Sequence, residues 1–158
     1  MDIRRDFYLD ELKAVMHNGL VKVITGIRRW GKSHFLFRIF IDYLKSQGIE
    51  EEQIIAVQLD DDDFESLRTP RALSEHIKAH ILKDGRRTYV LIDEIQECKP
   101  PQGAPVGDVT FYDMLNSLMK KRGVDVYVTG SNSEMLSEDI ATNFRDRGTV
   151  IRMWPLSF

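Results

Sequence analysis

Apolar positions in this chain switch between two rhythms, short unbroken runs and longer stretches at helical spacing. From Arg4 to Asn18 the helical rhythm holds, with Phe7, Tyr8, Leu12, Val15 and Met16 on one face and Gly19 as the stop. Leu20 to Thr25 then reads as a strand. A second helix, about Lys32 to Gln47, carries Phe35, Leu36, Ile39, Phe40, Tyr43 and Leu44 and ends at Gly48. Ile54 to Leu59 (IIAVQL) is an apolar run of the kind parallel sheets bury. Thr69-Pro70 supplies an N-cap and a first-turn proline for a helix to about Lys83, burying Leu73, Ile77 and Ile81. Tyr89 to Ile92 is the next strand. Phe111, Met114, Leu115, Leu118 and Met119 mark a helix closed by Gly123, with the methionines as core filler. Val124 to Thr129 and about Thr149 to Met153 complete the strands, and a helical turn or two is expected over Glu134 to Asn143. Lys99 to Asp108 (KPPQGAPVGD) is a loop by its proline and glycine content.

Such alternation predicts an α/β fold, a parallel sheet of about five strands with helices on both faces in three layers. At 158 residues, with 42% hydrophobic and 30% charged content, the chain suits one domain with a real core. A net charge of −3 gives no global field that would favour nucleic acid. The single cysteine, Cys98, supports neither a disulfide framework nor a cysteine-built metal centre. With no signal-peptide pattern and no membrane-length apolar run, the expected setting is the cytoplasm, with no membrane partner.

Candidate chemistry sits at the ends of the apolar runs. Gly26-Ile27-Arg28-Arg29-Trp30-Gly31-Lys32-Ser33 matches G-x-x-x-x-G-K-[ST], between a strand and a helix as a phosphate loop requires. The backbone N–H groups of Gly26 to His34 are expected to cradle the phosphates, helped by the helix N-terminus. Lys32, expected at the surface of the cleft, would reach the β- and γ-phosphates of ATP, and the Ser33 hydroxyl would ligate Mg²⁺. About sixty residues on, the strand YVLI ends in Asp93-Glu94, a Walker B pattern. Asp93 suits Mg²⁺, and Glu94 suits the orientation and deprotonation of an attacking water. Val124 to Thr129 delivers Gly130-Ser131-Asn132 to the same sheet edge. Asn132, or Ser131 behind it, would sense the γ-phosphate, or the group would simply cap a helix. Four more features are read from their surroundings. Asp60 to Asp63 is a solvated acidic loop or a second shell to the metal. Lys83, Arg86 and Arg87 solvate a helix end. Lys120 to Arg122 complements a helix dipole or touches nucleic acid. Tyr8 and Arg4 cover the sheet edge or approach an adenine ring.

The stretches ITGIRRWGKS (Ile24 to Ser33), LIDEIQ (Leu91 to Gln96), VTGSNSEMLS (Val128 to Ser137) and PLSF (Pro155 to Phe158) span nearly the whole chain. In them the chain resembles the AAA-type ATPase domain of a large family of uncharacterised prokaryotic ATPases. That likeness implies an inserted strand between the Walker A and Walker B strands. It also implies a following helical and C-terminal region, so that 1–158 would be an excised N-terminal domain without lid or second sensor arginine. Arg147 aligns with a family arginine that in AAA-like assemblies faces a neighbour's γ-phosphate, although Asp146 stands where the family has glycine. The implied activity is ATP hydrolysis with Mg²⁺ in a homo-oligomer, weak in the isolated domain. An ATP-gated interaction module with negligible turnover is the alternative, and a small-molecule kinase a third.

Overall fold

The five apolar runs become five strands, all parallel to their neighbours, in the order β2-β3-β4-β1-β5. In the computed structural model, residues 3–26, 31–130 and 148–153 are described. Ile27 to Trp30, Ser131, Asn132, the expected turns over Glu134 to Asn143, Arg145 to Arg147 and the terminal PLSF lie outside them. The strands are β1 (Val21–Gly26), β2 (Ile54–Gln58), β3 (Thr88–Asp93), β4 (Val124–Gly130) and β5 (Gly148–Met153). The helices are α1 (Ile3–Val15), α3 (Pro70–His80) and α4 (Phe111–Met119). Three consecutive segments, Lys32–His34, Phe35–Phe40 and Ile41–Ser46, form α2. β4 separates β1 from β3, the inserted strand that the family resemblance implied.

Period-two alternation sends successive strand residues to opposite faces, and each face receives its own helices. Val21, Val23, Val90 and Ile92 meet Leu73 and Ile77 of α3 and Leu115 and Leu118 of α4 on one side. Ile24, Leu91 and Tyr127 meet Leu12 of α1 and Phe35, Leu36 and Phe40 of α2 on the other. The middle of α2 is π-helical. Five positions on an α-helix turn by about 140° net, so Phe35 and Phe40 would splay; the wider π turn brings both buried rings toward the sheet.

Three expectations need adjusting. α3 stops at His80 rather than near Lys83, because Ile81 turns extended to pack on the core and Leu82 N–H bonds to Thr88 Oγ1 at 3.2 Å. Among the described residues β2 is an edge strand bonded only to β3, and Ala56 is exposed instead of enclosed on both faces. β1 also carries a buried charge: Lys22 is 0% exposed. Its ammonium donates to Leu20 O at 2.7 Å, to Asn18 Oδ1 at 3.1 Å and to Asp125 Oδ1. Asp125 Oδ2 accepts the His17 N–H at 3.1 Å and the Tyr127 hydroxyl. Burial pushes Lys22 below its ordinary value, opposed by its hydrogen bond and charge attraction to Asp125.

Candidate functional site

β1, β4 and β3 are neighbours, so their C-terminal tips place Gly26, Gly130 and Asp93 side by side. In an open parallel sheet this is the edge where ligands bind. Gly31 starts α2 in the left-handed region, φ 85° and ψ 19°, a conformation that favours glycine. Two residues later Ser33 Oγ donates to Asp93 Oδ2 at 2.5 Å, across sixty residues of sequence. Lys32 Nζ donates to Gly26 O at 3.0 Å, closing the loop's two ends on each other. That contact corrects the expectation of a lysine at the cleft surface, since Lys32 is only 4% exposed. The His34 side chain is exposed, so its place in the loop pattern rests on its backbone alone.

Asp93 is 2% exposed. Burial pushes its carboxyl up, the Ser33 and Thr129 hydrogen bonds pull it down, and the charges of Glu94 and Asp60 add to the rise. Thr129 ties the Asp93 carboxylate to the Glu94 backbone at the strand end. Its hydroxyl donates to Asp93 Oδ1 and accepts the Glu94 N–H at 2.9 Å. Glu94 is 6% exposed and holds φ 56° and ψ 56°, strained for a side-chain-bearing residue. The Gln96 amide donates to Glu94 Oε2. Neither Thr129 nor Gln96 stands out in the sequence as a site residue. The only available signal is placement: the register Ile92↔Val128 sets Thr129 next to Asp93.

The donors fit a magnesium nucleotide. Ser33 and Asp93 offer adjoining hard oxygens, and magnesium usually takes one or two carboxylates and leaves its other positions to phosphates and water. Among the described residues no group of three or more His, Cys, Asp or Glu gathers as a fuller metal cage. Asp60 to Asp63 form the solvated acidic loop, with Asp61 Oδ1 capping the Asp63 N–H at 2.9 Å. Tyr8 is buried, its ring edge-on to Phe35 at 6.4 Å, which favours the covering role over an adenine contact. Arg86 is tied to Asp84, Glu50 and Glu52 at the surface, and Lys120 to Arg122 are exposed just after α4. No helix among the described residues is long and apolar enough to cross a membrane.

A family model described as an AAA domain matches residues 18–158. An uncharacterized protein of Haemophilus influenzae is 31% identical over 156 residues, 99% of this chain and 36% of its own length. Uncharacterized protein MJ1544 of Methanocaldococcus jannaschii is 30% identical over 161 residues, 99% of this chain and 30% of its own. The chain thus spans about a third of the length of these curated relatives. Among solved structures, a chain in the structure of Drosophila ORC bound to DNA matches with a TM-score of 0.55. That match has 11% identity and covers 98% of this chain and 95% of the other.

Proposed function

Because the chain belongs to the AAA domain family, we propose that it binds Mg-ATP at the tips of β1, β3 and β4 and hydrolyses the γ-phosphate. The observation that carries this is the meeting of Ser33 with Asp93, two oxygen donors from distant sequence, beside Lys32 folded onto the Gly26 carbonyl. A hydroxyl, a carboxylate and an ammonium gathered at a glycine-framed helix start suit a polyphosphate and its cation. Magnesium, when bound, neutralises charge on the phosphates.

In this reading Lys32 exchanges its carbonyl contact for phosphate oxygens, and the loop backbone from Gly26 to His34 supplies N–H donors. Ser33 and Asp93 hold the metal. Glu94 takes the proton of the attacking water from a buried position at the tip of β3. Asn132 as γ-phosphate sensor and Arg147 as a finger on a neighbouring subunit extend the proposal to residues outside those described. Homo-oligomerisation of the whole protein is part of the same proposal.

Lys32→Ala tests the binding half. Loss of a charge-assisted contact to phosphate is expected to weaken ATP by about 10- to 100-fold, read by titration calorimetry with magnesium present. Unchanged affinity would sink the loop assignment. Because Lys32 is buried, its thermal unfolding should be recorded alongside, to separate lost contact from lost fold.

A further inference from the structure

Two residues past Glu94 the chain doubles back, and Gln96 Nε2 donates to Glu94 Oε2. The backbone between them is fixed. Glu94 lies in the left-handed region, and Ile95–Glu97 form a single 3₁₀ turn. Glu97 N–H bonds to Glu94 O and Cys98 N–H to Ile95 O, each at 2.9 Å. Ile95 at 0% and Cys98 at 1% exposure sink into the hydrophobic cluster shared with α3 and α4. An anchored turn therefore presents the amide, not a loose loop. The other end of that amide, Gln96 Oε1, is buried and accepts no hydrogen bond among the described residues. Turning the amide over would set its oxygen against the Glu94 carboxylate. Among the described residues one buried acceptor is thus left without a partner while the donor stays on Glu94, and such tolerated costs cluster where function needs them.

Resting on the ATPase reading above, we propose that Gln96 is a positioning residue for Glu94, holding the carboxylate in the orientation from which it serves the attacking water. A glutamate side chain has several rotatable bonds, and a base that roams among rotamers is seldom in place. An amide restrains it while remaining neutral. Lysine or arginine at the same place would also hold the carboxylate, but would stabilise its charged form and weaken it as a base. Gln96 acts through Glu94 and not on the nucleotide.

The experiment is single-turnover phosphate release from Mg-ATP by this chain, with ATP affinity measured in parallel. Gln96→Met keeps length and burial and removes the donor. Its turnover is expected to fall about 10- to 100-fold, the usual effect of losing an orienting partner, with affinity unchanged. Gln96→Glu keeps the shape but sets a second carboxylate against Glu94, and should show the same loss. In a Glu94→Gln background, adding Gln96→Met should cost nothing more, because no base is left to hold. Wild-type turnover in both single variants, losses that multiply in the double variant, or a matching fall in ATP affinity would each overturn the positioning role. Wild-type chain that binds ATP yet releases no phosphate would remove the hydrolysis reading and this role together. Turnover retained in the wild type and in Gln96→Met removes this role alone.

Discussion

Glu94→Gln is expected to bind Mg-ATP as the wild type does and to release γ-phosphate about 10² to 10⁴ times more slowly, the range general-base groups contribute. The amide preserves size and its oxygen can still accept from the Gln96 amide, but it cannot take a proton. Its backbone already occupies φ 56°, a conformation that asparagine-like amides and glutamate both pay to adopt, so the exchange adds little strain. The measurement is phosphate release with the chain in excess over ATP, so that slow product release does not mask the chemical step. An undiminished rate would make Glu94 structural and pass the water to another group. A variant that retains ATP for long periods without cleaving it would support the assignment and would also be useful for trapping partners.

The second large effect concerns stability. Asp125→Ala is expected to cost about 3–5 kcal/mol, the usual result of breaking a buried pair by removing one member. Against a total of about 5–15 kcal/mol for a domain, that can leave a substantial unfolded fraction. The loss has three parts: the Lys22 ammonium, the Tyr127 hydroxyl and the His17 N–H all lose the same acceptor. Lys22→Met combined with Asp125→Leu should recover only part of it, because the latter two donors remain unmatched. The pH dependence has a definite sign. Burial depresses Lys22 in the folded state, so above that depressed value the unfolded chain binds more protons and stability rises with pH toward the ordinary lysine range. Asp125→Ala removes the partner that opposes this depression, so its deficit should shrink in alkaline solution. Denaturant midpoints across pH check this, and a deficit constant up to pH 10 would contradict it.

Features written in neighbouring residues were legible beforehand. Glycine spacing, a strand before and a helix after marked the candidate phosphate loop, and Thr69-Pro70 announced the start of α3 with Thr69 Oγ1 capping Ala72 N–H at 3.4 Å. Asp93 and Glu94 were legible because a buried strand ending in two acids, weak as a signal alone, follows the G-x-x-x-x-G-K-[ST] pattern by about sixty residues. What stayed hidden depends on partners far apart in the chain. Nothing beside Lys22 in the chain shows what it pairs with, since its counter-charge lies 103 residues away. Thr129 read as an ordinary strand residue until the sheet order put β4 beside β3. The exposure of Ala56 follows from β2 standing at the edge, which composition cannot reveal. Gln96 was visible as part of a motif, but only its backward-facing amide gives it a task.

The position of β1 has a consequence for how the protein is made. Its hydrogen-bonding partners are β4 and β5, which start at Val124 and Gly148, while β1 itself ends at Gly26. At a translation speed of about 5–20 residues per second, β1 waits roughly 6 to 24 seconds for its second neighbour to emerge from the ribosome. Both edges of this apolar strand are unpaired until β4 emerges, and one edge stays open until β5 follows, the condition that invites pairing with other chains. The nascent polypeptide is therefore most in need of chaperone cover before residue 148 is synthesised, and the strand leading into the candidate phosphate loop is among the last to be locked in place.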